Sequence, residues 1–117
     1  MSTFQLFFIT VVLLIHVYIL LLEMFFWTKP KGIKTFGLAS KEFAEKTKVL
    51  AANQGLYNGF LVAGFVWAII SEKNEIAFFF LSCVCVAGIY GAYSTKKTRI
   101  FFIQSVPAIL GLISFCF

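Results

Sequence analysis

Uncharged apolar stretches, each bounded by a cluster of charges, constrain this chain more than any other feature of it. Each stretch is close to the ~20 residues a helix needs to cross a hydrocarbon core ~30 Å thick at ~1.5 Å per residue. Of the 10 Lys and Arg and 5 Asp and Glu among the 117 residues, all but Glu23 lie in Lys29–Lys48, Glu72–Glu75 or Lys96–Arg99. The intervening runs, residues 4–27, 50–71, 76–94 and 100–117, read as membrane spans. With 61% hydrophobic residues arranged in this way, the chain is not a water-soluble domain. Backbone groups in lipid must be satisfied internally, and lone apolar strands in so short a chain do not close a barrel, so the spans are helices. The expectation is an all-α, polytopic membrane protein, a four-transmembrane-helix bundle forming a single domain over residues 1–117. Four spans leave only short connections, which excludes an extramembrane catalytic domain or a nucleotide-binding fold.

The connections differ in charge. The first carries six Lys and two Glu, the second one Lys and two Glu, and the third two Lys and one Arg. Basic residues in short loops stay on the cytoplasmic side. The first and third connections are therefore expected inside the cell and the second outside. This reading puts the protein in the cell (inner) membrane with both termini outside the cytoplasm. The net charge of +5 is thus a topology signal and an attraction to anionic membrane lipids. It is not a nucleic-acid signal, because the positive charges are divided between loops and no aromatic-basic motif accompanies them. The N-terminal run lacks an early Lys or Arg and a small-residue cleavage site, and reads as a retained first span. Cys83, Cys85 and Cys116 read as apolar packing residues.

Local signals organise the first connection and the helix contacts. Thr28-Lys29-Pro30-Lys31-Gly32 is a turn signal, since Pro biases the residue before it away from helix. Ser40 is the expected N-cap of a second helix that begins outside the membrane and runs into it unbroken. Glu42 and Glu45 fall in its first turns, where the helix dipole favours anions, and Glu42 pairs with Lys46 at i,i+4. Phe36, Leu38 and Phe43 are interfacial anchors. Gly55 and Gly59 form a GxxxG pair, Ala87 and Gly91 a second small-residue pair with Gly88 alongside, and each marks a close helix approach. Pro107 frees one backbone carbonyl in the last span.

Polar side chains inside spans are costly and default to functional candidates. His16 and Glu23 are seven residues apart on one helix face. Asn53, Gln54, Tyr57 and Asn58 follow in the second span, Tyr90 and Tyr93 in the third and Gln104 in the fourth. At ~1.5 Å per residue from the cytoplasmic end, Glu23, Asn53, Tyr90 and Gln104 lie roughly 6 Å deep, Asn58 at roughly 12 to 14 Å and His16 at roughly 16 Å. All of these fall in the cytoplasmic half, which points to a polar pocket open to the cytoplasm. The same Asn and Gln residues also serve as interhelical hydrogen-bonding groups in membrane bundles.

The strings IHVYILLLEMFFWTKPKG, KVLAANQGLYNGFLVAG, VAGIYGAYSTKK and FFIQSVPAILGL carry a resemblance over nearly the whole chain. The chain resembles the DUF1304 family, small bacterial membrane proteins of four predicted spans whose biochemical role is not established. The matching positions are His16, Glu23, Trp27, Asn53, Gln54, Tyr57, Asn58, Gly88, Tyr90, Gly91, Gln104 and Pro107. Ser40-Lys41 departs from the family's small residue followed by a helix-starting Pro. The resemblance implies four spans and directs attention to the same polar residues. It supplies no substrate.

Three functions are compatible with these residues. The first is a cytoplasm-facing intramembrane pocket that binds, or chemically converts, a small apolar or amphipathic molecule. In an enzymatic version His16 and Glu23 are the catalytic proton acceptor and donor, and Trp27, Asn53, Gln54, Tyr57, Asn58, Tyr90 and Gln104 bind the ligand. The second is a small proton-coupled transporter built on Glu23, similar to the small multidrug-resistance exporters. The unequal loop charges, which specify one orientation, argue against the antiparallel dimers of those exporters. The third is a non-enzymatic accessory membrane subunit. No nucleophilic triad or phosphate loop is present, and His16 and Glu23 have no recognised metal spacing. No cofactor or metal is therefore expected, and a homo-oligomer is compatible with every reading.

Overall fold

The computed structural model describes residues 1–117 as helices joined by short turns, with no strand. The helices are α1 (Thr3–Met24), α2 (Pro30–Phe36), α3 (Lys41–Ser71), α4 (Asn74–Thr95) and α5 (Thr98–Ser114). α1, α3 and α4 are long and apolar enough to cross a membrane, as the first three expected spans require. The fourth apolar stretch differs from the expected 100–117. It is a shorter helix, α5, whose residues Phe101–Ser105 are wound as a π-helix before the α-helix resumes at Val106. Pro107 explains the irregularity: it has no N–H to give and its ring crowds the preceding turn, so the ladder widens just before it. The Val106 N–H reaches back to the Phe101 carbonyl, five residues earlier.

The chain packs as two compact units, residues 1–15 with 61–117 and residues 16–60. In the first, Ile9, Val12, Phe65, Ala68, Ala77, Leu81, Val84 and Ala108 form a fully buried apolar cluster. α4 and α5 meet closely where Gly88 faces Ser105. A Cβ on Gly88 would lie 2.8 Å from the Ser105 backbone nitrogen. The buried Ser105 hydroxyl donates to the Cys85 carbonyl at 2.9 Å, so the buried polar group at the contact is satisfied.

In the second unit, α1 ends at Met24, three residues before the expected end of its span. The expected turn at Thr28–Gly32 is shifted. The chain turns between Phe25 and Lys29, and Pro30 opens α2. Proline suits a first helical position, where its missing N–H has no intrahelical partner to lose, so Pro30 starts a helix instead of prolonging a turn. α2 closes on Gly37 in the left-handed conformation at φ 61°, with the Leu38 N–H bonded to the Ile33 carbonyl at 3.0 Å. Ser40 caps α3 as expected: its hydroxyl accepts the Phe43 N–H at 3.0 Å. α3 then runs unbroken for 31 residues, about 46 Å at the α-helical rise. The Glu42–Lys46 pair is formed at 3.3 Å.

Candidate functional site

Glu23 is the penultimate residue of α1, where unpaired carbonyls give the helix its negative end. A carboxyl group gains nothing from the helix there, and at 2% exposure it gains little from solvent. A donor must come from another element. It comes from α3: Asn58 Nδ2 donates to Glu23 Oε1 at 2.6 Å, and to the Gln54 carbonyl one turn back at 3.3 Å. The approach is possible because Gly55 has no side chain. A Cβ on Gly55 would lie 3.1 Å from the Glu23 Cβ, 2.5 Å from the Met24 Cγ and 3.3 Å from the Leu20 carbonyl oxygen. Gly59, one turn further on, faces Leu20 in the same way, so the GxxxG pair seats α3 against α1.

His16 is buried at 1% exposure. Its burial together with Glu23 is what a seven-residue spacing on one helix face requires. The side chain has a partner, while its buried Nε2 atom makes no hydrogen bond. Trp27 lies beyond the end of α1, half-buried. Its indole Nε1 donates to the Thr47 hydroxyl at 3.0 Å, and its ring packs on Phe36 of α2 with centroids 4.9 Å apart. Thr47 in turn donates to the Phe43 carbonyl at 2.8 Å. The turn after Glu23 is thereby tied to both α2 and α3. The sequence does not single out Thr47. The only available signal was an indole N–H at a helix end, which needs an acceptor when buried.

The other expected ligand-binding residues take different positions. Asn53 is exposed and turns its Nδ2 back to the Val49 carbonyl of its own helix at 2.9 Å. Tyr57 is 60% exposed, beside Phe60, while Gln54 stays with the acid: its side chain bonds Glu23 and its backbone carbonyl accepts from Asn58. Tyr90 and Gln104 belong to the other unit, where Tyr90 is 68% exposed and Gln104 is half-buried beside Gly88. No group of three or more His, Cys, Asp or Glu is placed to hold a metal ion.

An open depression of about 430 Å³ lies beside α3, lined by Met24, Lys48, Val49, Ala52, Asn53 and Leu56. Of the expected site residues only Asn53 lines it. Lys48 was not expected there, and its place as the last charge before the apolar run is the signal that marks it.

The family model for a protein of unknown function, DUF1304, matches residues 10–116. The uncharacterized protein YpaA of Lactococcus lactis subsp. lactis (strain IL1403) is 32% identical over 100 residues, which are 83% of this chain and 83% of its own. No solved structure matches the chain. With the match extending from the middle of α1 to the end of α5, the chain belongs to the DUF1304 family.

Proposed function

We propose that Glu23, Asn58 and His16 form the polar centre of an intramembrane site that binds a small apolar or amphipathic molecule entering from the cytoplasmic leaflet. The observation that carries this reading is the buried Glu23 carboxyl, at the unfavourable end of its helix, held by an amide from another helix. Ionisable residues in membrane helices are rare and costly, and a chain that needed only packing would place a leucine there. The Asn58 and Gln54 side chains both bond the carboxyl, and a ligand hydroxyl or amine would exchange with one of these amides. His16, roughly 10 Å further along the helix axis, suits the opposite end of a small molecule. Such an arrangement serves binding, and in an enzymatic version it serves proton transfer between two ends of one substrate. In this reading the protein sits in the cell membrane with the Lys29–Lys48 segment inside and both termini outside, as the loop charges direct.

The test is to purify the wild type and the Glu23→Gln and His16→Phe variants in mild detergent and identify co-purifying small molecules by mass spectrometry. A species held by the wild type and lost from Glu23→Gln at undiminished helicity is the expected result. Equal small-molecule profiles across the three proteins overturn the reading. Proton-coupled transport is the second reading, favoured by Glu23 being the single acidic residue within the apolar spans. It predicts pH-driven flux in proteoliposomes that disappears in Glu23→Gln, whereas a binding or converting site gives no flux in either protein.

A further inference from the structure

The depression beside α3 has walls of two chemical kinds. Val49, Ala52 and Leu56 recur at three- and four-residue spacing, which places them along one side of α3, and Met24 supplies the facing apolar wall. Lys48 and Asn53 add a charge and a carboxamide. Lys48 is the last charge before a run that stays uncharged through Ser71, so its ammonium marks the headgroup level while Val49, Ala52 and Leu56 descend into hydrocarbon. The eight steps from Lys48 to Leu56 cover ~12 Å of helix, most of one leaflet of a ~30 Å core.

We propose that this depression is a binding site for one anionic phospholipid, with its phosphate on the Lys48 ammonium and the upper part of an acyl chain along Val49, Ala52, Leu56 and Met24. Charge complementarity selects the occupant, because the segment ending at Lys48 holds six Lys against two Glu. The apolar walls select a lipid over a free phosphate. A volume of about 430 Å³ is within the ~300 to 1,000 Å³ of small-molecule sites, and the open side suits a chain that shares its surface with bulk lipid. Glu45 lies 3.3 Å from Lys48, but both side chains are well exposed, and such a pair is weak enough to give way to a phosphate. The Asn53 Nδ2 is held by the Val49 carbonyl, which leaves its Oδ1 as an acceptor for a headgroup hydroxyl. This inference does not rest on the Glu23 reading, since neither Glu23 nor Asn58 lines the depression.

The experiment is native mass spectrometry of the full chain in mild detergent, titrated with phosphatidylglycerol or phosphatidylcholine of identical acyl chains, or with glycerol phosphate. The wild type is expected to retain one phosphatidylglycerol in preference to phosphatidylcholine and to ignore glycerol phosphate. Lys48→Gln, at an exposed position, should lower that retention about fivefold, the worth of one basic residue at an anionic surface. Ala52→Phe, which fills the depression and keeps the charge, should lower it too, while Lys34→Gln on α2 should not. The proposal is overturned if the two lipids are retained equally, if Lys48→Gln binds as the wild type does, or if Lys34→Gln loses as much as Lys48→Gln.

Discussion

The two compact units are made from the same membrane-compatible vocabulary and bury opposite things. Residues 1–15 with 61–117 enclose Ile9, Val12, Phe65, Leu81 and Val84, and their buried polar groups are the hydroxyls of Ser105 and Ser114, each bonded to a backbone carbonyl. Residues 16–60 enclose a histidine and a glutamate alongside Leu22, Ala44 and Ala51. Lipid tails are as apolar as leucine, so helices in a bilayer associate through close packing and need few polar groups. The first unit shows that this chain builds such contacts from glycine, alanine and phenylalanine. The second unit departs from that pattern by burying an acid and an imidazole.

That contrast is open to direct attack. The largest effect is expected in the first unit from Gly88→Val, which drives a branched side chain into the Ser105 backbone and should cost about 3 kcal/mol, read by unfolding in detergent. Gly111→Ala, whose Cβ would meet the movable Leu81 methyls at 3.1 Å and the Phe8 Cβ at an ordinary 3.5 Å, should cost under about 1 kcal/mol. Equal losses for the two would show that this unit is not held by backbone approach. In the second unit, a double-mutant cycle of Glu23→Gln and Asn58→Leu should return a coupling of about 1 to 2 kcal/mol. A coupling near zero would remove the polar link on which the contrast depends. Ser40→Ala should destabilise α3 by about 1 kcal/mol through loss of its cap, measured in the same assay. Smallest of all, Trp27→Phe keeps the ring against Phe36 and loses only the bond to Thr47, about 0.5 to 1 kcal/mol. Its clearest readout is the loss of slow exchange at the turn that follows Glu23.

Much of this arrangement is legible in the sequence. Charge clustering located α1, α3 and α4, because ionisable groups are excluded from hydrocarbon so strongly that their positions bracket each span. Ser40 announced its helix, since a hydroxyl before an acidic first turn has one obvious use. The pairing of His16 with Glu23 on one face followed from helical phase alone. What stayed hidden depends on balances between near-equal states. Pro30 is both a turn former and a good helix starter, and the helix it starts packs Phe36 on Trp27, a contact that composition does not announce. The π-wound stretch before Pro107 is one of several ways to relieve a lost hydrogen bond. Asn53 and Asn58 are the same residue type five positions apart, about 140° round the helix from one another. Which amide reaches Glu23 is decided by rotation of α3 about its axis, a quantity carried by contacts at Gly55 and not by composition.

The unbroken length of α3 has a mechanical meaning. At about 46 Å the helix outreaches a ~30 Å hydrocarbon core, so its first turns, from Lys41 to Lys48, stand among headgroups and water. A continuous helix transmits tilt and rotation along its length with little loss. The charged end and the Asn58 amide therefore belong to one uninterrupted ladder of backbone hydrogen bonds. That amide donates to the Glu23 carboxyl. The lysine-rich start of α3 and the one buried acid of this protein are thus connected through a single continuous helix.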